Sequence, residues 1–213
     1  MLRNILFIIV IIISFVPASV SAQTTYEDLL RAAKEGKADT VHELVSKGMD
    51  PDTADRDGNT LLLLAAREGH PAVIQYLIDR KARVQLQNGA GETPIMLASL
   101  KGHLDVVKLL HASGADINAS GWAPLHYCAW EGRAEVCRFL LVHGAGINAL
   151  SPNKTSPLMM AARQGHIEVV KMLLARFADL SVRNDSGATA LSWALKSGQT
   201  VIADLLKQAG AQE

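Results

Sequence analysis

Apolar residues lie along this chain in two patterns. From Ile5 to Val16 they form an almost unbroken run, interrupted only by Ser14. From residue 24 onward they fall into short stretches paired about a recurring glycine. Gly36, Gly69, Gly102, Gly132, Gly165 and Gly198 are separated by 33, 33, 30, 33 and 33 residues. The clearest unit has Glu92-Thr93-Pro94-Ile95-Met96-Leu97-Ala98 before its glycine and Leu104-Asp105-Val106-Val107-Lys108-Leu109-Leu110 after it. Each glycine is thus flanked by two predicted helices, and the period predicts one helix–turn–helix unit repeated six times.

His70, His103 and His166 directly follow their glycines, and Gly114-Ala115-Asp116-Ile117-Asn118 closes the unit quoted above. This pattern resembles the ankyrin repeat: a turn, a short helix opening on Thr-Pro-Leu-His, a Gly-His turn, a second helix and a Gly-Ala-Asp-x-Asn finger. The resemblance covers residues 24–213 and implies an all-α solenoid with units 24–56, 57–89, 90–119, 120–152, 153–185 and 186–213. Each helix pair has a face it cannot bury alone, so stacked units share one continuous core. Positions that stack hold one residue type. Ala32, Ala65, Ala98, Cys128, Ala161 and Ala194 form a small-residue column, and Leu44, Leu77, Leu110, Leu140, Leu173 and Leu206 a large one. The glycine column suits left-handed helix ends. Glu27, Asp28, Arg31, Lys34 and Lys37 at one end, and Lys207, Gln208, Gln212 and Glu213 at the other, supply polar outer faces.

The departures are as informative. No unit keeps Thr-Pro-Leu-His complete. Leu61 and Ala190 stand where proline is usual. His126 keeps the signature histidine, but Ala123 replaces its threonine partner. These helix starts are expected to rely on packing more than on side-chain hydrogen bonds. Lys81 and Phe177 replace the usual finger glycine. The finger Asp116–Gly121 is three residues short, which is expected to open a notch beside Trp122.

Arg3, the apolar run, Pro17 and then Ala18-Ser19-Val20-Ser21-Ala22 match a secretory signal peptide cut after Ala22. The run is shorter than the ~20 residues a spanning helix wants. Residues 1–22 are therefore read as a signal peptide and 23–213 as the repeat domain, exported to the periplasm or secreted, with no stable membrane insertion after cleavage. A retained anchor, making a membrane-tethered scaffold, is the alternative. The chain has 21 basic and 21 acidic side chains; without Arg3 the balance is net −1, which argues against nucleic acid as a partner.

No enzyme or cofactor signature is present, and no metal or catalytic residue is expected. Asp50, Asp52, Asp55 and Asp57 before Gly58 suggest a calcium loop. With Gly58 in the sixth place, however, that loop would run from Thr53 to Leu64, wrong at both ends. The histidines after the glycines are read as turn residues, a series that Arg133 interrupts. Cys128 and Cys137 sit nine apart, on the two helices of one unit. Their column mates are alanine and small apolar residues such as Val107, Val170 and Ala203. They are either two small core residues or, in an exported chain, a disulfide stapling that helix pair.

The resemblance implies that finger tips and first helices form a concave face where a protein partner binds. Trp122, Tyr127, Trp130, Met160 and Trp193 fall on that face as an apolar centre, and Arg67, Glu131, Arg163 and Lys196 as its charged rim. Tyr127 and Trp130, three apart, share one side of a helix, and Trp, Tyr and Arg are the types richest in binding energy. The reading is a monomeric, non-enzymatic protein-binding module. It looks like exported ankyrin-repeat proteins of Gram-negative bacteria, one group of which is associated with periplasmic catalase. The rival is an inhibitor or immunity protein acting on a periplasmic toxin or hydrolase.

Overall fold

The computed structural model describes residues 18–212, with side chains from Thr24. The apolar run 5–16 lies outside the described residues, as does Glu213. Twelve helices occur among the described residues, as six consecutive pairs. The first helices are α1 (Ala18–Glu35), α3 (Leu61–Glu68), α5 (Pro94–Lys101), α7 (Pro124–Trp130), α9 (Pro157–Gln164) and α11 (Ala190–Lys196). The second helices are α2 (Ala38–Ser46), α4 (Pro71–Asp79), α6 (Leu104–Ala112), α8 (Ala134–Val142), α10 (Ile167–Leu174) and α12 (Thr200–Gln208). First helices stack on first helices and second on second, in two rows, with fingers projecting between units. Helix α1 begins at Ala18, ahead of the unit boundary at 24, because no glycine or proline interrupts 18–35. The expected cut after Ala22 falls within it. No described helix is long and apolar enough to cross a membrane.

The two columns explain the stacking. The small column, including Cys128, is buried throughout, at no more than 2% exposure. Small side chains there let neighbouring first helices approach closely. In the leucine column, Leu77, Leu110, Leu140, Leu173 and Leu206 are fully buried and Leu44 partly so. Each fully buried leucine contributes about 1.5–3 kcal/mol. The described members of the two polar end sets are exposed, apart from Asp28, which is partly so.

The turn between the two helices joins one unit to the next. Gly69 is left-handed (φ 81°), and a Cβ there would meet the His103 ring at 2.6 Å. That ring reaches back with Nε2 to the carbonyl of Arg67, 3.2 Å away. His70 does the same to Lys34 at 2.9 Å, and His166 to Trp130 at 2.8 Å. Each imidazole satisfies a carbonyl that the end of a first helix leaves free. Arg133, which breaks the histidine series, fills the same place, and its Nε donates to the carbonyl of Leu100 at 3.1 Å.

The altered helix starts, expected to rely on packing more than on side-chain hydrogen bonds, nevertheless keep such bonds. Thr60 Oγ1 accepts from the amide of Leu63 at the start of α3. Thr189 and Ser192 form a reciprocal capping box at α11. At α7, Ala123 has no polar side chain, but its amide donates to Nδ1 of His126 at 3.1 Å. A proline at the first helical position is dispensable when the residue before it still caps, because the orphan amides are what need partners.

Candidate functional site: an aromatic groove beside a short finger

Regular fingers close on themselves. The backbone amides of Asp55, Asn88, Ser151 and Asn184 donate to the carbonyls of Asn59, Glu92, Thr155 and Ala188, at 3.0–3.1 Å. Their side chains accept from amides four residues on. Adjacent fingers then join, Gly89 to Asp57 at 2.8 Å and Asp185 to Asn153 at 3.1 Å. Among the described residues no such bond closes the finger 116–121, whose tip is missing. Asn118 still ties it to the Gly144–Gly146 turn of the next unit, as Asp52 and Asn148 tie their fingers to the amides of Arg83 and Asp179.

A groove of about 340 Å³ lies at this break, lined by Glu92, Leu100, Trp122, His126, Tyr127, Trp130 and Met160. Three of these seven residues, His126, Tyr127 and Trp130, lie on α7. Pro124, Leu125, Cys128 and Ala129 face the core and are buried, which leaves Tyr127 and Trp130 half-buried on the opposite side. Trp122, at the short finger, is 36% exposed. Its ring stands edge-to-face with His126 at 5.5 Å and with Tyr127 at 6.4 Å.

His126 fixes the floor. Its Nε2 lies 3.1 Å from the carbonyl of Ala149 and 3.0 Å from that of Thr155, while Nδ1 accepts from Ala123. That pattern requires the neutral ring with its proton on Nε2. Burial lowers its pKa below the ordinary value, which favours the same form. Both nitrogens are committed to backbone groups, so this imidazole anchors α7 to the following finger and is not free for proton transfer. The Tyr127 hydroxyl is pushed up to about 12, first by burial and then by the negative charge of the Glu92 carboxylate. It remains a protonated donor at any physiological pH.

The residues expected at the site divide. Trp122, Tyr127, Trp130 and Met160 line one groove. Met160 is only 7% exposed and so forms part of its base, which corrects the expectation of an accessible apolar contact. Trp193, half-buried on α11, connects through Arg163, whose guanidinium lies 5.1 Å from the Trp193 ring and 5.8 Å from the Trp130 ring. Arg67 belongs elsewhere: it pairs with Glu68 and lines a separate depression between two regular fingers. Glu131 faces Arg133 at 3.6 Å. Lys196 is exposed near the end of α11. Glu92 and His126 line the groove without having been expected there. Their cue was local to the break: one ends the finger before the deletion, and the other sits on the helix after it.

Cys128 and Cys137 are joined as a disulfide between α7 and α8, and both are fully buried. The carboxylates of three of the four acidic finger residues are engaged in turn bonds or an ion pair. Asp50 accepts from the amide of Asp52, Asp55 from those of Asp57 and Asn59, and Asp52 pairs with Arg83. Among the described residues no group of three or more potential ligands could hold a metal ion.

Stacked helix pairs with projecting fingers and an aromatic groove define a helical repeat protein built for recognition. The family model described as "Ankyrin repeats (3 copies)" matches residues 29–120, 81–151 and 125–213. The chain therefore belongs to the ankyrin-repeat family, whose members are protein–protein interaction modules. No curated protein matches the chain.

Proposed function

We propose that this chain is an exported, monomeric, non-enzymatic recognition module whose protein partner docks at the groove of Trp122, Tyr127 and Trp130. The observation that carries the reading is the break in the finger row. A shortened finger leaves three aromatic side chains around an open groove, in place of the continuous bonded row of regular fingers. Clustered exposed aromatics mark interaction sites more than scattered ones do.

Two features support export. The N-terminal pattern is that of a signal peptide, and a buried disulfide suits an oxidising compartment. On the resemblance to exported bacterial ankyrin-repeat proteins, the role is that of an accessory to a periplasmic enzyme such as catalase. The intact mass of the purified protein tests export: the mass of residues 23–213 is expected, and the full-length mass would refute cleavage and favour a tethered scaffold.

Partner capture from the protein's own compartment tests the docking site. Wild type is run beside a Trp122→Ala/Tyr127→Ala/Trp130→Ala variant of equal helicity. One dominant protein held by the wild type and lost by the variant is expected. Equal capture by both would move the interface off the groove. The effect of binding on the captured protein's activity then separates an accessory from an inhibitor.

A further inference from the structure

We propose that the groove takes a basic side chain, lysine or arginine, of the partner protein, with Glu92 as its counter-charge. This rests on the groove being the docking site described above.

The carrying observation is an acid without a cation. Glu92 lines the groove together with the three aromatics. Its carboxylate accepts from one side-chain donor, the neutral Nδ2 of Asn88 at 2.9 Å. None of the ion pairs among the described residues uses it. A carboxylate offers about four acceptor positions, so this one donor orients it and leaves room for others. Its negative charge is felt inside the groove, since it helps hold the Tyr127 proton in place.

The walls suit the same ligand. Indole and phenol faces attract cations, and the methylene stem of a lysine or arginine packs on apolar surface while its head reaches a polar group. This face already holds one such cation, for Arg163 lies against both Trp130 and Trp193. A neutral apolar side chain would fill the groove equally well. It would, however, strip water from Glu92 and supply no counter-charge, which is costly. The groove therefore discriminates by charge as well as by shape.

The test compares two blocked pentapeptides, acetyl-Gly-Ser-Lys-Ser-Gly-amide and its norleucine analogue, which has the lysine carbon chain but no ammonium. Each is titrated at low salt and fixed ionic strength into the isotope-labelled purified chain and into its Glu92→Gln variant, reading the indole N–H signals of Trp122 and Trp130. Glutamine keeps an oxygen for Asn88, and an unchanged spectrum of the free variant shows that it folds. The expected result is at least roughly tenfold tighter binding of the lysine peptide by the wild type, equivalent to about 1.4 kcal/mol, and loss of that preference in the variant. An arginine peptide should behave like the lysine peptide.

Equal or tighter binding of norleucine would overturn the proposal. So would an unchanged lysine preference in Glu92→Gln, or no shift of either indole by any peptide. These outcomes are separable from failure of the docking reading. A partner captured through the aromatic groove but showing no lysine preference would keep the docking site and remove the charge specificity.

Discussion

The second helix of each unit is followed by a left-handed residue, and two of these six are not glycine. Lys81 has φ 68° and Phe177 φ 61°, whereas Gly48, Gly114, Gly144 and Gly210 occupy the same column at 86–102°. An L-residue in that conformation costs about 1–2 kcal/mol. Phe177 is 91% exposed, so its ring recovers almost none of this through burial. Replacing it by glycine removes the strain but returns about 0.4–1 kcal/mol of freedom to the unfolded chain. The net expectation for Phe177→Gly is a gain of about 0.5–1 kcal/mol. In a chain of this length that raises Tm by roughly 1–4 °C. Lys81→Gly should behave alike, and the two should add because they lie in units that do not touch. The reverse change is the control. A Cβ on Gly144 would meet nothing within 4 Å, so Gly144→Ala isolates the backbone cost and should lower Tm by a similar amount. Thermal melts followed by circular dichroism, with urea midpoints alongside, measure all three. A lower Tm for Phe177→Gly with an unchanged Tm for Gly144→Ala would refute the reasoning, because it would mean that the ring packs or that the backbone is not strained.

Other expectations follow from the same structure. Cys128→Ala/Cys137→Val gives its unit the pair that other units carry at Ala98/Val107 and Ala161/Val170. It therefore removes the cross-link with little change in packing. Closing a loop of about ten residues contributes about 2.7 kcal/mol, so Tm should fall by roughly 5–11 °C, and reductant should lower the wild-type Tm without affecting the variant. His126 has a pKa below its reference of 6.5 because it is buried. The unfolded chain thus binds its proton first as pH falls, so stability is full above about pH 6.5 and is lost below it as pH falls toward the folded pKa. His126→Gln should flatten that loss in urea midpoints measured from pH 7.5 to 5. In an ultraviolet alkaline titration Tyr127 should ionise at about 12, and Glu92→Gln should bring it down. Because its folded pKa is raised, its contribution to stability is present below pH 10 and lost as pH rises through the folded value.

The architecture was legible in the residues because a solenoid asks the same thing of each unit. Every helix pair buries the same positions against its neighbours, so the alanine, leucine and glycine columns recur at a fixed period and can be read without coordinates. The short finger was legible for the same reason, as a missing stretch in an otherwise regular spacing, and Trp122, Tyr127 and Trp130 could be placed beside it. What periodicity cannot carry is a contact between unlike residues about thirty positions apart. Arg133 standing in for a histidine depends on where its guanidinium falls over Gly102. The caps at Thr60 and Thr189, and the His126 bonds that stand in for a missing threonine, depend on local geometry that the departures from the motif obscured. Arg67 shares a column with Arg163, yet only Arg163 lies between two indoles, because only its neighbouring units carry tryptophan there. Glu92 became part of the groove because the stacking brings it to the same lining as Tyr127, one unit away. The sequence by itself determined the repeated core, whose burial is common to all units. The tertiary structure decided the site, which is built from residues in which neighbouring units differ.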